Sequence, residues 1–158
     1  MVRMLAGALL LVSALAVCAD EEKVPLDKLP KAVADAVKAK FPDAEMVSAS
    51  KEKEDGKLLF EVAIKNKGQK IDVTVTPEGK IVEIEKEIAA RDLPKVVADA
   101  LDKKYPKATI KKVEEIIKED KLVKYEALIV TDDKKTLEVS FDPSGKFLEE
   151  EVKKSEKE

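Results

Sequence analysis

Histidine and tryptophan are absent from this 158-residue sequence, and cysteine occurs once, at Cys18. Without histidine there is no Ser–His or Cys–His catalytic pair and no imidazole ligand for a metal. The five glycines are all isolated, which excludes a glycine-rich phosphate loop and a dinucleotide-binding fingerprint. Aromatic residues make up only 4%. A two-carboxylate glycoside hydrolase is open by residue type. Such a site, however, needs a cleft lined by aromatic and apolar groups that this composition does not supply. The chain is therefore read as not an enzyme, with no cofactor and no metal centre assigned. Basic and acidic residues number 30 and 33, a net charge of −3. The signs are mixed, which describes a solvated surface and leaves no basic patch for nucleic acid.

Long hydrophobic runs are also missing. The one apolar stretch, Met4 to Val17, is too short to cross a bilayer comfortably. It follows Arg3 and precedes the small-residue sequence Val17-Cys18-Ala19 and the acidic Asp20-Glu21-Glu22. A basic start, an apolar centre and a small-residue cut describe a secretory signal peptide over residues 1–19. The mature chain is then expected to be periplasmic or secreted, without a membrane span. Tethering through a lipidated Cys18 is the alternative, with Val17 standing where such signals want a smaller residue. Cleavage leaves 29 basic and 33 acidic residues and no cysteine. Stability must then come from packing alone.

What the sequence does have is a duplication. Leu29-Pro30-Lys31-Ala32-Val33-Ala34-Asp35-Ala36-Val37 recurs as Leu93-Pro94-Lys95-Val96-Val97-Ala98-Asp99-Ala100-Leu101. Phe41-Pro42 then matches Tyr105-Pro106, Phe60-Glu61 matches Tyr125-Glu126, and Pro77-Glu78-Gly79-Lys80 matches Pro143-Ser144-Gly145-Lys146. Ordered self-similarity of this kind marks a repeated structural unit. The units are placed at residues 24–88 and 89–152, with a disordered tail at 153–158; the stretch from Glu149 to Glu158 loses its apolar pattern after Val152.

Each unit begins with a short helix. Pro30 and Pro94 suit the first turn, where no N–H is needed. Val33, Ala36 and Val37, and their counterparts Val97, Ala100 and Leu101, have helical spacing. Pro42 and Pro106 stop the helices. Strands follow, with Phe60, Val62 and Ile64 alternating with polar residues, as do Ile71, Val73 and Val75, and then Leu137, Val139 and Phe141. Lys51 to Lys57 reads as a hairpin loop closed by Asp55-Gly56. Ala44 to Ser50 reads as an edge strand. Residues 109–118 fit either strand or helix, because Ile110, Val113 and Ile117 have helical spacing; strand is taken by analogy with the first unit. The fold expected is α+β: two tandem repeats, each a helix packed on a three- to four-stranded antiparallel sheet. The sheets are expected to join into one, with both helices on one face.

The other face would carry Glu61, Asp72, Thr74, Glu83, Glu85, Glu126, Glu138 and Ser140. These residues are the candidate binding surface. A solvated face is the plain alternative, since no spacing here resembles a calcium-binding loop.

The sequence Leu-Pro-x-x-Val-x-x-Ala-Val closed by Phe-Pro, with Phe60-Glu61-Val62 and Pro77-x-Gly79-Lys80, resembles PepSY-like domains. These are similar to β-lactamase inhibitor protein. The resemblance covers about residues 24–152. It implies a helix packed on an antiparallel sheet and a binding role in the bacterial envelope, as a regulator or inhibitor of a peptidase or other hydrolase. It names no partner, and the expected face lacks the aromatic anchors of a tight inhibitor. Capture of a small ligand or a divalent cation on the acidic face is the alternative function.

Overall fold

The structure, a computed structural model, describes residues 21–153. The expected signal peptide at 1–19 with Cys18, and residues 154–158 of the expected tail at 153–158, lie outside the described residues. Within them, nine strands form a single antiparallel sheet in chain order, joined by two helices. The strands are β1 (Glu22–Lys23), β2 (Glu45–Glu54), β3 (Lys57–Asn66), β4 (Gln69–Val75), β5 (Ile81–Ile88), β6 (Thr109–Lys118), β7 (Lys121–Val130), β8 (Thr136–Phe141) and β9 (Phe147–Lys153). The helices are α1 (Lys31–Lys40) and α2 (Lys95–Lys104). Each repeat is thus one helix followed by four strands, and β1 adds a short extra pairing to β2.

The helices form where the sequence places them, with one adjustment. Pro30 and Pro94 are the N-caps, in extended backbone, and not residues of the first turn. Their carbonyls accept from the next amides in the helix, Val33 and Ala34 or Val97 and Ala98. At the other end Phe41 and Tyr105 donate to the carbonyls of Val37 and Leu101 before proline ends the run. Val33 and Val37 pack into a cluster with Phe60, Val62, Ile64, Ile71, Val73, Val75 and Ile84. Val97 and Leu101 do the same with Val113, Tyr125, Ala127, Ile129, Leu137, Val139 and Phe141. Each such side chain taken from water contributes about 1.5–3 kcal/mol before chain entropy is counted.

Residues 109–118 are strand β6, and the reason for the helix-like spacing is visible. A register shift between Ile110 and Lys112 inserts one residue into the alternation. Ile110 and Val113 therefore both pack on the second cluster although they are three apart. Ile117, four residues further on, packs on the first. The first repeat has the equivalent shift between Met46 and Ser48. The charged run at 51–57 is mostly strand: β2 reaches Glu54, β3 starts at Lys57, and only Asp55-Gly56 turns, both at positive φ. The C-terminal stretch is likewise more ordered than its charge suggested, since Glu149 to Lys153 belong to β9 and pair with β8.

The repeats meet where β5 pairs with β6, Ile84 opposite Ile117 and Ile88 opposite Val113. Ile84 belongs to the first cluster and Ile88 packs against the second. Lys40 of α1 also pairs with Asp120 in the β6–β7 turn.

Candidate functional site

Strand alternation turns every second side chain away from the hydrophobic clusters. Phe60, Val62, Val73, Val75 and Ile84 enter the first cluster, so Glu61, Asp72, Thr74, Glu83 and Glu85 point the other way. Register then aligns them: Glu61 faces Thr74, which faces Glu83, and Asp72 faces Glu85. In the second repeat Glu126 faces Ser140, which faces Glu149, and Glu138 faces Glu151. The eight predicted residues therefore fall into two equivalent groups, one per repeat. The Glu149 and Glu151 positions complete the second group.

One central residue was missed by sequence reasoning. Glu114 on β6 is 7% exposed, and its carboxylate lies with those of Asp72 and Glu85 so that one oxygen from each is within 4.8 Å of the others. It was hidden by the ambiguity of 109–118; once strand is assigned, its place between the inward Val113 and Glu115 puts it on the polar side.

Crowding and burial displace the protonation of this patch. Glu85 is pushed up to about 8, first by burial and then by Glu114, Glu83, Glu126 and Glu61. Glu61 is pushed up to about 7 by burial, with Asp72 the strongest of its charged neighbours. Asp72 and Glu114 also move up through burial, opposed by Lys112. Lys112 Nζ donates to Glu114 Oε1 at 2.8 Å. Burial works against its charge, but the bond to Glu114 and that carboxylate's charge outweigh it. In the second group Lys124 Nζ sits 2.6 Å from Glu126 and 2.9 Å from Glu149. Lys153 joins Glu138 and Glu151 at 3.0 and 2.8 Å. The floor of this second group is Ser140, 1% exposed. Grouped carboxyls displaced in this way make the patch a candidate functional site.

A family model described provisionally as beta-lactamase-inhibitor-like and PepSY-like matches this chain twice, over residues 16–83 and 62–149. Among solved structures, a BLIP-like protein from Bacteroides fragilis NCTC 9343 is similar at 18% identity and TM-score 0.60, with 77% of this chain and 84% of that one covered. A protein from Bacteroides eggerthii DSM 20697, provisionally described as periplasmic, aligns at 16% identity and TM-score 0.68, covering 78% of this chain and 88% of that one. A DUF2874 family protein from Bacteroides uniformis ATCC 8492 aligns at 15% identity with the same TM-score, 0.68, and the same coverage, 78% and 88%. At these identities the likeness is one of fold. No curated protein matches the chain.

Proposed function

The chain belongs to the PepSY-like family, and on that footing we propose that it is an exported, non-enzymatic binding protein that engages a basic surface on an envelope protein. The observation that carries this reading is the run of carboxylates across both repeats, from Glu61 and Asp72 through Glu85 and Glu114 to Glu126 and Glu138. These carboxylates outnumber the lysines that pair with the patch, Lys112, Lys118, Lys124 and Lys153. An arrangement with both helices on the other face of the sheet is supported by Ile84 and Ile88, which are four apart on β5 and pack on the clusters of α1 and α2 in turn. Residues an even number apart on a regular strand share a face. The polar side is then an uninterrupted docking surface.

Export is supported by the apolar segment before Asp20 and by the provisional periplasmic description of a structural neighbour. Among the described residues no helix is long and apolar enough to cross a membrane. The family's likeness to β-lactamase inhibitor makes a hydrolase the first class of partner to test. Complementary charge would act chiefly through encounter rate and selectivity.

The experiment is affinity capture from the native envelope with the chain from Asp20 onward, beside a Glu61→Lys/Glu126→Lys variant. The reading expects a discrete partner that is competed by untagged protein, released as salt rises, and lost with the variant. Capture that is indifferent to charge reversal would overturn it.

A divalent cation is the second reading, favoured by the convergence of Asp72, Glu85 and Glu114. Carboxylate oxygens suit a hard ion, which would have to displace Lys112. It expects millimolar Ca²⁺ to raise the melting temperature and Glu114→Gln to abolish the rise. An unchanged melting temperature removes this reading.

A further inference from the structure

The two halves of the polar face carry the same polar residues at equivalent positions but differ in what lies beside them. Glu61, Thr74 and Glu83 form one row, and Glu126, Ser140 and Glu149 form its counterpart. One step along β3 and β7, Phe60 pairs with Val75 and Tyr125 with Phe141, so Leu59 and Lys124 are equivalent residues. In the second repeat the Lys124 ammonium bridges Glu126 and Glu149 at 2.6 and 2.9 Å. That half is filled by the chain's own lysine. The first repeat has the same pair of carboxylates but has Leu59 in place of the lysine.

We propose that the first repeat's half of the polar face is a seat for a lysine side chain of a partner protein, its ammonium received between Glu61 and Glu83 and its methylenes lying along Leu59. The proposal deepens the basic-partner reading and rests on it. Leu59, Glu61 and Glu83 line an open cleft of about 940 Å³, which Lys53, Lys57, Lys80 and Lys118 also border. Leu59 is 6% exposed, an apolar floor on an otherwise charged side. A lysine stem covers apolar surface of this kind while its head stays with polar groups. Among the described residues Glu61 makes no ion pair, and Glu83 is reached only by Lys118, at 2.6 Å, from a half-exposed side chain that a bound ammonium would have to displace. Lys124 supplies the second, independent observation, because the equivalent carboxylates in the same molecule already hold an ammonium. The ligand chemistry is thus a primary amine on a flexible apolar stem.

The test is a proton–nitrogen NMR titration of the mature chain with an end-blocked peptide of alternating lysine and threonine, at low salt. The amides of Leu59, Glu61, Thr74 and Glu83 should shift, while those of Lys124, Glu126, Ser140 and Glu149 stay in place. Leu59→Lys puts the internal ammonium into the first half and should weaken the peptide at least tenfold. Lys124→Met vacates the second half and should add a second set of shifts around Ser140. If Leu59→Lys fails to fold, Glu61→Gln takes its place and should weaken binding several-fold. Binding at the polar face that ignores Leu59→Lys, Glu61→Gln and Lys124→Met overturns the seat and leaves the basic-partner reading standing. Absence of peptide binding by both wild type and Lys124→Met also overturns the seat. The basic-partner reading is judged separately, by the response of the captured partner to Glu61→Lys/Glu126→Lys.

Discussion

Glu85 is held among four other carboxylates, Glu61, Glu83, Glu114 and Glu126, with Lys112 as a compensating cation in the cluster. Its folded pKa of about 8 lies above the unfolded value near 4.5. Between those values the folded state holds more protons than the unfolded, so stability is greatest below the window and falls as pH rises through it. Most proteins show the opposite trend, because their carboxylates are paired in the native state. Glu85→Gln removes the ionisation. It should stabilise by about 1–2 kcal/mol at pH 8, after discounting for partial exposure, and have little effect at pH 5. Urea unfolding at the two values checks this; equal effects at both would mean that Glu85 ionises normally. Gly79 and Gly145 are constrained differently. A Cβ on Gly79 would stand 2.7 Å from the Ala32 carbonyl oxygen, and one on Gly145 the same distance from that of Val96, each at φ near +85°. Both turns are thus pressed against the N-terminal end of a helix. Alanine at either should cost about 2–3 kcal/mol in denaturant unfolding, more than positive φ alone explains.

The strands differ according to whether their outer edge is used. β5 gives its edge to β6 and presents Ile84 and Ile88 at the seam. β9 is its counterpart, since Val73 faces Ile84 and Val139 faces Glu150. Among the described residues β9 pairs only with β8, and it carries Glu149, Glu150 and Glu151. Charge on an outer strand discourages pairing with another chain. The neighbouring ring changes with it: Phe41, which packs on the first cluster, becomes Tyr105, whose hydroxyl donates to Glu150. Glu150→Ile restores the seam residue and should give concentration-dependent self-association in size-exclusion chromatography with light scattering. A monodisperse variant with unchanged mass would show that the remaining charges are enough to protect the edge.

The described residues form two hydrophobic clusters and one sheet. Each repeat alone, about 60 residues, would be marginal. The seam, with Ile117 of the second repeat packing on the first cluster, joins them. Leu101→Ala should therefore cost about 2–4 kcal/mol and loosen both repeats, although the cavity lies in the second. Hydrogen exchange would show faster opening in β3 and β4 as well as in β7 and β8. Acceleration confined to the second repeat would mean that the two clusters unfold independently.

Duplication, helix positions and the inward and outward sides of β3, β4, β7 and β8 could be read from the residues, because proline stops, helical spacing and strict alternation are local properties. So could the eight polar candidates, which follow from that alternation alone. Three things needed the folded chain. The shift at Ile110–Lys112 breaks the alternation, so the side that Glu114 takes is settled only by the pairing of β6 with its neighbours. The crowding of carboxylates in the patch depends on Glu114 crossing the seam to meet Asp72 and Glu85, residues 42 and 29 positions away in sequence. The meeting of Lys124 with Glu149 as well as Glu126 depends on register, which hydrogen bonding between strands sets and no short stretch of sequence contains.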